Sequence, residues 1–225
     1  QKMIRSIVRE FAETVAGPTC NKRDNEQIAP IEEFKKFSEL GFAGMTIPEE
    51  YGGQKLDDIS EAIVVEELSR VDASLGVMVA VHVGLCSMTI ALSGNEEQKK
   101  KYLPKLASGE FLGAYSLSEA GSGTDAAAMV AKATDDGEHF TLNGEKMWVT
   151  NGTTADLFVL FAKVADHPDY GKKSHGGVTC FIIEKGFEGF EIGKKEDKLG
   201  IRSSDTCTLV LNNCKVPKEN VLGEV

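Results

Sequence analysis

The segment from Tyr115 to Ala128, with the sequence YSLSEAGSGTDAAA, has the residue types that bind a phosphate or the edge of a flat ring. Gly121 and Gly123 allow the backbone to come close to a ligand, and exposed N–H groups in such a turn form a nest for anions. The hydroxyls of Ser118 and Thr124 add neutral donors. The segment therefore predicts a ligand-binding turn, although an ordinary glycine–serine turn has the same composition.

Residues 121–126 also fit the dinucleotide pattern G-x-G-x-x-[G/A]. That pattern serves a dinucleotide site only when a strand precedes it, a helix follows it and an acidic residue lies about 20 residues later. Here a short alanine-rich piece and then a predicted hairpin follow. We therefore expect no Rossmann-type site at this turn.

A second chemical pattern is KMWVTNG, residues 146–152, which contains the only tryptophan of the chain. Trp148 and Thr150 are two residues apart, so they share one face of a strand. A flat indole beside a hydroxyl suits a stacked aromatic cofactor. The alternative is a tryptophan in the core of a sheet, which is the commoner role for a lone indole.

Composition limits the classes of function. The 225 residues carry a formal net charge of −10, with 41% hydrophobic and 27% charged residues, which is typical of a soluble globular protein. An acidic balance argues against nucleic acid and anionic membrane as partners. The five cysteines are scattered without CxxC spacing, so we expect neither a disulfide framework nor a metal site.

The patterning predicts an α+β multidomain protein, with an all-α N-terminal domain at residues 1–110 and a β-barrel-like middle domain at residues 111–225. A one-faced helix from Ile4 to Val15 is expected to stop at Gly17-Pro18. Pro30 is expected to open the second helix and Asn95 to cap the last one. Asn143-Gly144 predicts a hairpin between two strands.

The stretch from Ala73 to Ser93 contains no Asp, Glu, Lys or Arg and approaches the ~20 residues that a bilayer requires. It also contains glycines, hydroxyl residues and His82, so we predict a buried helix with His82 in the core rather than a membrane span. The chain begins at Gln1 and ends in a turn-like VLGEV, and we expect it to be part of a longer protein.

Five motifs occur along the chain in this order: PEEYGG, EEQKKKYLPKLASGE, LSEAGSGTD, NGEKMWVTNG and GKKEDKLGIRSSDTCTLVLNNCKVPKENVLGE. Together they resemble the acyl-CoA dehydrogenase family over essentially the whole chain. The chain departs from the usual pattern at Ala120, where proline is common, at Ser116, and at Thr124, where serine is more usual. These departures affect the fine geometry of the loop.

The resemblance implies that the middle domain binds FAD. It implies flavin contacts, largely through backbone atoms, at Tyr115, Leu117 and Ser118. It implies pyrophosphate contacts at Gly123 and Thr124. The isoalloxazine ring would be flanked by Trp148, Val149 and Thr150, with the Thr150 hydroxyl near N5. Thr124 is implied to touch CoA as well, and Ser174 in the KKSHGG loop is a weaker candidate for CoA.

The implied reaction is α,β-dehydrogenation of an acyl-CoA, with an electron-transfer flavoprotein as acceptor and a homotetrameric assembly. The family's base is a glutamate of a C-terminal domain. Its Tyr-Glu-Gly motif is absent here, so the catalytic residue stays unknown. We predict that Glu119 holds the turn instead. The resemblance leans towards short-chain members, in a bacterial cytoplasm or a mitochondrial matrix. The alternatives are an acyl-CoA oxidase, a flavin monooxygenase and a non-catalytic flavin- or CoA-binding module.

Overall fold

The computed structural model describes all residues, 1–225. Its N-terminal part is helical. The α-helices are α1 (Lys2–Phe11), α2 (Gly17–Glu26), α3 (Ile31–Glu39), α4 (Asp58–Ser69), α5 (Ala73–Ala80), α6 (Met88–Ser93) and α7 (Glu96–Ser108). As predicted, helix α3 begins after Pro30, and Asn95 caps α7 through a capping box with Gln98.

The predicted stop at Gly17-Pro18 is wrong. A π-helical turn, Ala12–Ala16, joins α1 to α2, and the helical path ends only at Gln27, which is left-handed. In this turn the Gly17 N–H donates to the Ala12 carbonyl, one residue further back than in an α-helix. The wider turn accommodates Pro18 at the start of α2, where its missing N–H costs little.

Helices α5 and α6 are joined by a second π-helical turn, Val81–Ser87, into one apolar stretch. This stretch, Ala73–Ser93, is the one helix of the protein that is long and apolar enough to cross a membrane, and 56% of its most apolar 18-residue window is buried inside the protein. Leu75, Met78 and Val83 are fully buried. The burial agrees with the core helix predicted from the sequence, since core helices pass the same hydropathy criterion.

His82 is fully buried in this helix, as predicted. The Gly113 N–H donates to its Nδ1 at 3.0 Å, so the ring proton must lie on Nε2, which is 3.1 Å from the Leu106 carbonyl. Burial lowers the pKa of His82 from 6.5 to about 4. The core therefore holds a neutral imidazole of one tautomer.

Stability should fall in mild acid because of His82. The pKa of His82 is lower in the folded than in the unfolded protein, so the unfolded state binds the proton first as the pH falls. The free energy of unfolding therefore decreases below pH 6.5. We expect a loss of about 2 kcal/mol between pH 7 and pH 5. Urea unfolding of the protein and of His82→Gln at both pH values measures it. Equal pH slopes in the two proteins would contradict the assignment.

The C-terminal part is a single eight-stranded sheet. Its strands are β1 (Gly113–Ser116), β2 (Lys132–Asp135), β3 (His139–Thr150), β4 (Leu157–Val164), β5 (Val178–Glu184), β6 (Phe190–Lys195), β7 (Thr206–Pro217) and β8 (Val221–Leu222). The order is β6-β7-β3-β2-β4-β5-β8, with β1 parallel to β4. The predicted fold class is confirmed, although the sheet does not close, so it resembles a barrel only loosely.

The predicted hairpin at Asn143-Gly144 is wrong. Strand β3 continues through both residues, and they form an irregularity in its pairing with β7. Gly144 has φ 141°, and a Cβ there would lie 2.9 Å from Ala131. Gly144 is thus required because the backbone of β3 passes close to Ala131, and glycine inside a strand often indicates such a close approach.

Candidate functional site

A bulge in β3 brings the two chemical motifs together. The pairing of β3 with β7 shifts between Lys146 and Val149, so two residues of β3 stand opposite one of β7. The Met147 N–H donates instead to the Ser118 carbonyl at 2.9 Å. The glycine-rich segment and the tryptophan segment are therefore neighbouring backbones that share a hydrogen bond.

A buried ion pair also holds the glycine-rich segment and the tryptophan segment together. Lys146 Nζ donates to Glu119 Oε1 at 2.7 Å and to the Leu117 carbonyl at 3.0 Å, and the Lys146 side chain is 0% exposed. Burial lowers the pKa of Lys146, which its hydrogen bond with Glu119 partly offsets. Lys146 could not be predicted as a buried residue, because nothing in the residues around it distinguishes a buried lysine from a surface one.

Glu119 has the structural role predicted for it. Besides Lys146, its carboxylate accepts hydrogen bonds from the backbone N–H groups of Val130 at 2.6 Å and Ala131 at 3.1 Å. The side chain is 4% exposed. A carboxylate held by three donors and shielded from solvent is poorly placed to remove a proton from a substrate.

Trp148 lies on the surface and not in the core. Its side chain is 58% exposed, while Val149 is 1% exposed and Thr150 is half-buried. The Val149 side chain therefore points into the core, and only its backbone is available to a ligand. Trp148 has φ 60°, a left-handed conformation that is rare for a bulky residue. Such outliers cluster at functional sites.

The residues predicted to contact the flavin from the first motif lie at the end of β1 and just after it. Tyr115 is half-buried and packs against the ring of Phe161, with ring centroids 5.3 Å apart. Ser116 is fully buried, and its Oγ has no hydrogen-bond partner in the protein. Leu117 and Ser118 follow the strand, where their carbonyls are held by Lys146 and by the β3 backbone.

The bend that follows is rigid but open. Glu119 and Ser122 exchange backbone hydrogen bonds in both directions, at 2.8 and 3.1 Å. No atom lies within 4 Å of a Cβ placed on Gly121 or Gly123, and Thr124 is exposed. A 3₁₀ turn, not a helix, follows at Ala126–Ala128, which agrees with the rejection of a Rossmann-type site.

These residues fit FAD. The open bend allows a pyrophosphate to approach backbone N–H groups, and the exposed indole offers a flat surface for the ring. The two motifs lie side by side, so one ligand can reach both. Ser174 lies in a different loop, residues 170–174.

Ser174 lines a groove of about 560 Å³ between residues 125–130 and the loop 170–174. Three lysines line the same groove, Lys163, Lys172 and Lys173. Lys173 also pairs with Asp169 at 2.7 Å. The sequence analysis did not single out these lysines, although the KK pair beside Ser174 was a visible signal of a basic loop.

Comparison with known families identifies the architecture. Residues 1–110 match the profile "Acyl-CoA dehydrogenase, N-terminal domain", and residues 114–214 match "Acyl-CoA dehydrogenase, middle domain". The chain belongs to the acyl-CoA dehydrogenase family, and the resemblance found in the sequence is confirmed. Members of this family are FAD-dependent flavoproteins.

Individual similar proteins support this family assignment. The "Acyl-CoA dehydrogenase, short-chain specific" of Clostridium acetobutylicum is 45% identical over 224 residues, covering 100% of this chain and 58% of that protein. A chain of the structure described as "Electron transferring flavoprotein of Acidaminococcus fermentans: Towards a mechanism of flavin-based electron bifurcation" has a TM-score of 0.94 at 44% identity, covering 100% of this chain and 58% of its own.

A third relative is the acyl-CoA dehydrogenase of Bacillus anthracis, whose structure is described as complexed with FAD. It has a TM-score of 0.89 at 40% identity, with 99% of this chain and 38% of the other covered. The chain thus spans little more than half the length of the first two proteins, and less of the third.

Proposed function

We propose that this chain forms the flavin- and CoA-binding part of an FAD-dependent acyl-CoA dehydrogenase, which removes two hydrogens from Cα and Cβ of an acyl-CoA thioester. The observation that carries the proposal is the hydrogen bond between Met147 and Ser118, which sets the exposed indole of Trp148 beside the glycine-rich bend. FAD, when bound, supplies the acceptor for the hydride that leaves Cβ.

The chain's own residues bind and orient that cofactor. The backbone at Tyr115, Leu117 and Ser118 would hold the polar edge of the ring, and the Thr150 hydroxyl would donate towards N5. The open bend at Gly123 and Thr124 would receive the pyrophosphate. Preorganised donors of this kind stabilise charge as it develops and need no rearrangement during the reaction.

The proton acceptor is not assigned within residues 1–225. Glu119 is held by Lys146 and two backbone N–H groups, and the Tyr-Glu-Gly motif does not occur in this sequence. We assign the base to a glutamate outside these residues, and residues 1–110 and 111–225 to the helical and the cofactor-binding domains.

The lysine groove suits the phosphates of CoA. Ser174 and the three lysines face the segment that follows Thr124, so one CoA could touch the flavin-site bend and the groove together. Ammonium groups attract phosphates, and the serine hydroxyl donates a further hydrogen bond. Both predicted CoA contacts, Thr124 and Ser174, are kept in this proposal.

The acyl chain would run along the helix Ala73–Ser93. Leu85 is 43% exposed there, and the adjoining Gly84 is half-buried, so this surface is available as a wall for the acyl chain. We infer a short-chain substrate, consistent with the name of the Clostridium relative. The electron acceptor would be an electron-transfer flavoprotein, the assembly a homotetramer, and the compartment a bacterial cytoplasm or a mitochondrial matrix.

The test uses the purified protein that carries this chain. A yellow protein whose flavin absorption bleaches on anaerobic addition of butyryl-CoA supports the proposal. Absence of flavin under saturating FAD would refute it. Rapid peroxide formation in air would favour an oxidase or monooxygenase of the same fold, and flavin that no acyl-CoA reduces would favour a binding module.

Loss of two groove lysines should weaken CoA binding only. For Lys163→Ala with Lys172→Ala we expect the KM for acyl-CoA to rise about tenfold, since two charge contacts of roughly 0.7 kcal/mol each, one from the half-buried Lys163 and one from the exposed Lys172, sum to one decade. The increase should shrink at high salt. FAD affinity and kcat should not change. Lys100→Ala, on the exposed face of α7, is the control, and an unchanged KM in the double variant would contradict the groove assignment.

A further inference from the structure

Asn151 is a buried amide directly after Thr150, the residue assigned to the flavin edge. It is 1% exposed and has a left-handed backbone, φ 65°. Its Nδ2 donates to the Met78 carbonyl at 3.2 Å and to the Gly113 carbonyl at 3.0 Å. Met78 lies in α5 and Gly113 begins β1, so one side chain ties the end of β3 to the helical wall and to the strand of the first motif.

Asp205 holds the same turn from the other side. Its backbone carbonyl accepts the Asn151 N–H at 2.8 Å. Its Oδ2 accepts from the Thr153 N–H at 3.0 Å and from the Thr154 hydroxyl at 2.9 Å. Asp205 is 1% exposed, so these bonds are shielded from water. A shift of the turn would leave several buried polar groups unpaired, which is costly.

The segment before Asp205 is in turn anchored to the helical domain. Asp24 Oδ1, near the end of α2, accepts hydrogen bonds from the backbone N–H groups of Arg202 at 2.6 Å and Ser203 at 3.3 Å. The end of β3 is thus connected to two helices, directly through Asn151 and indirectly through Asp205.

We propose that Asn151 is a positioning residue that fixes where the Thr150 hydroxyl stands relative to the flavin and to the α5 wall. The inference rests on the proposed function. The left-handed backbone alone does not explain the residue, because glycine adopts that conformation with less strain. The two amide donors, aimed at carbonyls of different elements, do explain it.

The first test is Asn151→Gly, which keeps the left-handed turn and removes only the amide. On the flavin-loaded protein we expect kcat to fall by on the order of tenfold to a hundredfold with KM nearly unchanged, since small displacements at a reacting centre have such effects. The midpoint potential of the flavin should shift away from the wild-type value, because the hydroxyl assigned to N5 is displaced. Asn151→Asp, which has the same shape without the donors, should show at least the same defect.

The matched control is Asn213→Gly. Asn213 is also left-handed, at φ 52°, but it lies exposed on β7 and bonds to Asn143. This variant should keep the wild-type kcat and potential. Wild-type values for Asn151→Gly as well would overturn the proposal.

A double-variant cycle with Thr150→Val separates positioning from a general structural role. If Asn151 acts through Thr150, the double variant loses no more kcat, and its potential shifts no further, than in Thr150→Val alone. Effects that multiply would overturn the proposal. If the wild-type protein binds no flavin, the proposed function itself is wrong. The flavin content of the wild-type protein is measured before any variant is compared.

Discussion

Lys146→Met should be among the most destabilising single changes in the β-domain, with a loss of about 3 to 5 kcal/mol in unfolding free energy. The ammonium is fully buried and is the charge partner of Glu119, 2.7 Å away. Removing it leaves a buried carboxylate without a counter-charge, and the loss of one partner of such a pair costs this much. The Leu117 carbonyl also loses a donor. Urea denaturation measures the change.

The double variant Glu119→Gln with Lys146→Met distinguishes the charge from the loss of packing. A neutral amide removes the unpaired charge and keeps an acceptor for one of the two backbone N–H groups, so the double variant should be more stable than Lys146→Met alone. Lys173→Met, which breaks the exposed pair with Asp169, should cost less than about 1 kcal/mol. A Lys146→Met protein as stable as the Lys173 variant would show that the ion pair does not hold the two motifs together.

Trp148→Ala should have the opposite profile, with little loss of stability and a large loss of cofactor. The indole is 58% exposed, so truncation removes little packing, and we expect less than about 0.5 kcal/mol. Stacking of a flat heteroaromatic ring on an aromatic side chain is worth about 1 to 3 kcal/mol on the scale of base stacking, so FAD affinity should fall roughly tenfold to a hundredfold. Titration of the flavin-free protein with FAD measures it.

Tyr170→Ala is the control for the Trp148 experiment. Tyr170 is also a partly exposed ring, 41% exposed, but it lines the lysine groove. Its removal should affect acyl-CoA binding and leave FAD affinity unchanged. Equal FAD affinity in the Trp148→Ala protein and the parent would mean that the exposed indole serves another purpose.

Local features of the fold were predictable from the sequence because their causes are local. The Asn95 cap needs only an asparagine with Gln98 three residues later, and His82 in a run without charged residues indicated a core position. The motifs also led to a set of residues predicted to contact a ligand. Whether each named contact is made with FAD or CoA stays a prediction.

The errors arose where distant segments decide the conformation. Asn143-Gly144 is a typical hairpin dipeptide, but Gly144 is needed because Ala131, just before strand β2, lies too close for a side chain. Pro18 is tolerated because a π-helical turn precedes it, and a Cβ on Gly17 would lie 3.1 Å from Val71. The bulge at Trp148 depends on β7 and on Ser118, which are also distant in sequence.

We propose that two backbone segments, Leu117–Ser118 and Met147–Thr150, bind one flavin between them. A crystal structure of the FAD-loaded protein is the decisive experiment. We predict the isoalloxazine ring against the Trp148 indole, with its polar edge on the backbone at Ser118. A ring bound elsewhere, or touching only one of the two segments, would contradict the account.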